Sequence, residues 1–139
     1  MNLKFAFAVN KNNQFIKKHF GYADKYLIYK QIEDKIVLIS EEINNFKLLD
    51  ENLKNKADDI IKFLKNKEVN VLVSMQFGKN INIVNEYFIP IIIYSEKIEN
   101  ATDILNKHLH WIKDEWNNSS SDYKLFTIKS GILKSPIEK

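Results

Sequence analysis

The chain has 139 residues, a formal net charge of +3 and no cysteine. That length suits one ordinary domain, which buries about two-thirds of the surface its unfolded chain exposes, and the lack of thiols excludes disulfides and thiolate metal sites. All 21 basic residues are lysines scattered among 18 acids; without arginine, the preferred residue for bidentate phosphate and base-edge contacts, nucleic acid is not an expected partner.

Leu3, Phe5, Phe7 and Val9 alternate with Lys4, Ala6 and Ala8, the period of a strand. Two β-rich runs follow, Tyr26–Ile32 and Lys35–Ser40, joined by the hairpin-like pair Glu33-Asp34. From Leu53 to Lys67 the apolar residues Leu53, Ala57, Ile60, Ile61 and Leu64 fall at helical spacing, with Asn55 and Asp58 placed to cap the start. Val69–Met75 reads as a short buried strand. Gly78 breaks the pattern before a helix over Asn80–Tyr87, and Ile89–Tyr94 forms the next strand.

Asn100 and Asp103 resemble the capping pair of a third helix that ends near Trp116. Asn117–Asp122 reads as a linker. Tyr123–Ile128 and Ile132-Leu133 flank Ser130-Gly131 as a small hairpin. The expectation is an α/β domain over residues 1–116 with a mixed five-stranded sheet, and a short C-terminal β appendage over 117–139 that docks on the domain or on a partner chain. No apolar run approaches the ~20 residues of a membrane span, and the N-terminus lacks the pattern of a secretory signal. A cytoplasmic protein with no membrane partner is expected.

Chemistry-bearing residues are few. His19 stands in a loop between Lys17-Lys18 and Phe20-Gly21. Phe20 can anchor that loop and Gly21 permits its turn. A fixed imidazole can ligate a metal or cluster, or move a proton near neutral pH; a loop histidine with no role satisfies the same spacing. Ser74 to Asn80 joins a strand end to a helix start and holds Gly78, Lys79 and Asn80. Ligands of open α/β sheets gather at such ends, although a single glycine makes no dinucleotide or phosphate-loop fingerprint.

His108 and His110 are two apart and diverge on a helix. His108, in line with Ala101, Leu105 and Ile112, reads as a satisfied core histidine, and His110 as exposed. Trp111 and Trp116 read as packing residues. Asp24 is the acid nearest His19 in sequence, and Asp58-Asp59 suit a helix start. The first strand offers no carboxylates for a two-metal nuclease, and no nucleophile elbow is present, so an enzyme is not expected.

The run His19-Phe20-Gly21-Tyr22-Ala23-Asp24-Lys25-Tyr26-Leu27-Ile28-Tyr29, with the later turn Gly78-Lys79-Asn80, resembles the dinitrogenase iron–molybdenum cofactor biosynthesis family, the NifX-like proteins. The resemblance covers about residues 1–116. It implies a ribonuclease-H-like three-layer α/β/α fold and a non-catalytic protein that binds or carries the iron–molybdenum cofactor or its iron–sulfur precursor. By the same resemblance His19 would be the metal ligand, Phe20 and Gly21 would shape its loop, and Gly78 and Asn80 would line the facing loop. Lys17, Lys18 and Lys79 would complement an anionic cluster. The chain departs from the family pattern at Met75-Gln76-Phe77, which replaces a glycine-rich loop and is expected to crowd the site, and at Asn10, where an acidic residue is usual. The alternative reading is an interaction or regulatory module without a metallocluster, using the tryptophan-bearing helix and the tail to bind a partner protein or form a homodimer. A pocket for a small anionic molecule beside Gly78 is a third.

Overall fold

The computed structural model describes residues 2–46 and 54–135. Its strands are β1 (Lys4–Val9), β2 (Lys25–Ile32), β3 (Lys35–Ile43), β4 (Val71–Ser74), β5 (Ile89–Ile93), β6 (Phe126–Lys129) and β7 (Ile132–Lys134). The helices are α1 (Lys54–Asn66), α2 (Ile81–Tyr87), α3 (Ile98–Lys107) and α4 (Leu109–Asn118). The strands form one mixed sheet in the order β3-β2-β1-β4-β5-β6-β7. β1, β4, β5 and β6 pair in parallel, while β2 is antiparallel to β1 and β3, and β7 to β6.

The alternation in β1 becomes two faces of an interior strand. Phe5, Phe7 and Val9 join a core with Val71, Val73, Ile89, Ile91 and Ile93, covered by Ala101, Leu105 and Ile112 of α3 and α4. Ala6 and Ala8 face the other way, where their small size lets Ala57, Ile60, Ile61 and Leu64 of α1, with Val84 of α2, lie close to the sheet. Helices therefore cover both faces. At β3, an edge strand, the Asn106 side chain of α3 accepts a hydrogen bond from the Ile36 N–H at 2.8 Å, which blunts part of an open edge.

The sheet has seven strands rather than the five expected, and the two extra ones come from the segment read as an appendage. β6 lies parallel beside β5, with Ile91 opposite Phe126 and Ile93 opposite Ile128. Phe126, Ile128 and Leu133 are part of the main core. Ser130 and Gly131, with φ of 53° and 75°, make the positive-φ two-residue turn that twisted hairpins favour. Residues 136–139 of the expected tail lie outside the described residues. Pro90, near the start of an inner strand, is tolerated because β6 pairs only from Ile91 onward, so its missing N–H has no ladder bond to lose there.

The helices also differ from the periodic reading. The expected single helix of 100–116 is two, broken at His108 (φ −130°, ψ 24°), and the first begins after Lys97 rather than at an Asn100 cap. The break is invisible to spacing because Ala101, Leu105 and Ile112 all remain on one buried face. Residue 53, the expected start of the first helix, lies outside the described residues. Since α1 already includes Lys54, Asn55 sits inside the first turn, and Asp58-Asp59 fall beyond it, exposed to solvent.

Phe126→Ala tests the place of the last strands. Removing a phenylalanine that is 4% exposed should lower the unfolding free energy by about 3–5 kcal/mol in urea titrations, whereas truncating a residue on a separable tail would leave the midpoint in place.

Candidate cofactor site

The loop that follows β1 runs across the carboxyl ends of the parallel strands and is held there by its backbone. Val9 bridges Phe15 and Gln14 bridges Lys97, while the Phe15 N–H donates to the Glu96 carbonyl at 2.8 Å. His19 makes an isolated parallel bridge with Gln76, in the loop after β4, and the Phe20 N–H donates to the Gln76 carbonyl at 3.0 Å. Residues 20–22 then form one turn of 3₁₀ helix.

Phe20 anchors the loop. Its ring is 1% exposed and tilts against Phe77, centroids 5.8 Å apart. Its carbonyl accepts the Tyr26 hydroxyl at 2.9 Å. Burial pushes that hydroxyl far above the usual tyrosine range, which keeps it a neutral donor. Asn44, at the end of β3, donates through its side-chain nitrogen to the Gly21 carbonyl at 3.0 Å and the Ala23 carbonyl at 2.9 Å. Gly21 itself faces α1: a Cβ there would stand 3.4 Å from Lys56 Cε and 3.5 Å from Ile60 Cδ1.

The exposed imidazole of His19 lies over Gly78. A Cβ built on Gly78 would clash with the ring, 2.6 Å from Nδ1, 2.8 Å from Nε2 and nearer still to Cε1. Gly78 also has φ +64°, in the left-handed region where side chains are strained. Two independent reasons thus favour glycine there. Asn80 closes the same 3₁₀ turn and leads into α2, with no cap hydrogen bond from its side chain.

The expected crowding by Met75-Gln76-Phe77 takes a different form. Phe77 turns into the core and is 2% exposed, Met75 packs against the opposite core, and Gln76 is exposed. Around the imidazole, Tyr22 stands 6.3 Å away between centroids. Lys56 and Lys18 lie over its ring at 4.2 Å and 5.8 Å. Lys17 pairs with Glu96 at 2.7 Å, a hydrogen bond that raises its ammonium pKa and balances its charge. Lys18 and Lys79 are exposed.

The remaining candidates lie apart. The Asp24 carboxylate accepts the Lys11 N–H at 3.1 Å and closes the loop after β1. His108 is not the satisfied core residue expected: it is half-buried, its Nδ1 is enclosed without a hydrogen-bond partner, and its ring stacks on Trp111 at 4.4 Å. His110 is exposed, as expected, and Trp116 stacks on Tyr123 at 4.9 Å. A hollow of about 690 Å³ beside Lys4, Asn70 and Trp116 opens at the amino ends of β1 and β4, away from His19. Sequence reasoning missed Asn44, and it named Gln76 only within the strand–helix segment and as a residue that would crowd the site; their bonds to backbone groups leave no periodic or compositional trace.

Among the described residues no group of three or more His, Cys, Asp or Glu could hold a metal ion, and no helix is long and apolar enough to cross a membrane. The fold and the loops define a small α/β domain that presents one imidazole on a glycine seat at the carboxyl edge of its parallel strands. Residues 1–108 match the family described as dinitrogenase iron-molybdenum cofactor, and the chain belongs to that family. No curated protein matches it. The match ends at the α3–α4 break, so α4, β6 and β7 lie beyond it.

Gly78→Ala should move the His19 ring off its seat and destabilise the fold by about 1–2 kcal/mol through the left-handed backbone alone; ring-proton chemical shifts and thermal melts check both effects. Tyr26→Phe should cost about 1 kcal/mol, read as a drop of a few degrees in Tm, by removing the shorter of the two hydrogen bonds to the Phe20 carbonyl, which keeps only the Ala23 N–H at 3.3 Å.

Proposed function

We propose that the protein binds and carries a preassembled iron–molybdenum or iron–sulfur cluster, with His19 as its protein ligand and without catalysing a reaction on it. The observation that carries this reading is the exposed imidazole lying over Gly78, on a loop whose backbone is bonded to Gln76, with the ring open to a large ligand. The donor set fits such a cargo. A bare ion needs several protein ligands, whereas a cluster that arrives with its own sulfur and iron atoms needs one donor to fix it. Lys18 and Lys79 supply positive charge beside that donor, as an anionic cluster requires. Phe20 and Gly21 shape the loop that carries His19, and Gly78 and Asn80 line the facing loop.

The ribonuclease-H-like reading belongs to the same proposal. It is supported by the order β3-β2-β1-β4-β5, in which β2 alone runs against the others. The interaction reading retains one specific observation, the Trp111 indole, which is 44% exposed on α4; Trp111→Lys should abolish any self-association seen by light scattering if that surface serves it. Cytoplasmic localisation is the natural setting for a cluster carrier.

Anaerobic addition of isolated iron–molybdenum cofactor should give a stoichiometric complex, visible by size exclusion and metal analysis. His19→Ala should lose it, and equal uptake by both proteins would overturn the ligand assignment. A Lys18→Glu, Lys79→Glu double variant should bind about tenfold more weakly or worse at low salt, with the gap narrowing as ionic strength rises.

A further inference from the structure

We infer that Gln76 is the residue that positions His19, and that its role is to hold the imidazole on the Gly78 seat; the functional meaning of that placement rests on the cluster-carrier reading above. Gln76 grips the loop on both sides of His19. Its carbonyl accepts the Phe20 N–H at 3.0 Å, one residue after the histidine. Its side-chain Nε2 donates to the Lys17 carbonyl at 3.1 Å, two residues before it. The backbone bridge between Gln76 and His19 lies between these two bonds.

The grip is itself supported from below. Ser74, fully buried at the end of β4, donates its hydroxyl to the same Gln76 carbonyl at 3.0 Å and stands 3.5 Å from the Gln76 N–H. Ser74 thereby fixes the carbonyl that Phe20 uses, and a buried hydroxyl with no part in the apolar core gains its purpose.

The amide of an exposed glutamine has water as an alternative partner. Ordering that long side chain loses rotamer entropy comparable to what one hydrogen bond returns, so the Gln76–Lys17 bond adds little to global stability. Its effect is local: it sets the spacing of Lys17 and Phe20, and hence where the ring between them sits. A merely structural residue would show the reverse pattern, with a change in melting and no selective change at His19.

Gln76→Met keeps the side-chain length and removes the donor, and Gln76→Glu keeps the acceptor and removes the donor. In the ligand-free full chain, wild type should show a nuclear Overhauser contact between the His19 ring and the Gly78 α-protons, with a ring-current shift on the latter. Both variants should lose at least about half of that shift while Tm moves by no more than about 2 °C, and uptake of isolated cofactor should weaken about tenfold. An unchanged contact and shift in both variants would overturn the inference, as would a large fall in Tm with resonances displaced throughout the molecule. If His19→Ala binds cofactor as wild type does, the carrier reading fails, and the ligand-free spectra still decide whether Gln76 positions the ring.

Discussion

Parallel pairing of β1 with β4 places the two loops of the candidate site side by side. Phe5, Ala6 and Phe7 lie in register with Val71, Leu72 and Val73, so both strands deliver their chains to the same edge at the same height. Because β1 is buried on both faces, its register cannot slip without turning phenylalanines toward α1 and alanines toward α3. Beyond the ends of the strands an isolated parallel bridge from His19 to Gln76, in a different register, joins the two loops. The packing of the sheet thus brings the two loops together, and the contacts between the loops then place the imidazole.

Much of this architecture is legible in the residues themselves. The strict alternation of β1, the β-branched runs and the spacing of Ala57, Ile60, Ile61 and Leu64 identify their elements directly. The short strands after Asp122 read as an accessory because four and three residues carry too little pattern to declare a sheet neighbour, and their partner β5 precedes them by two helices. The break at His108 hides for a different reason: a single non-helical residue can leave the buried face in phase on both sides. Local period reports which side faces the core, and says little about continuity.

The site was half legible. His-Phe-Gly and Gly78 stand out as departures from regular structure, and the family resemblance joined them before the fold did. Which glycine does what was not legible. Gly21 has ordinary backbone and would admit a Cβ at normal contact distance from α1, whereas at Gly78 an imidazole lies on the α-carbon and the backbone is left-handed. Asn44, Ser74 and Gln76 act through main-chain partners fixed only by the tertiary fold, so their roles could not be read from composition or spacing even where the segment itself was singled out.

The placement of β6 has a consequence for the order in which the molecule is made. Until Phe126–Lys129 has been synthesised, β5 presents Ile91, Ile92 and Ile93 along an open edge, a short aliphatic strand of the kind that recruits other chains. Pro90, at the amino end of that edge, withholds a backbone donor where a foreign strand would otherwise begin to zip. The same residue that a finished sheet merely tolerates thus acts as a gatekeeper for the unfinished one, guarding the nascent chain during the interval before its own last strands arrive to cover it.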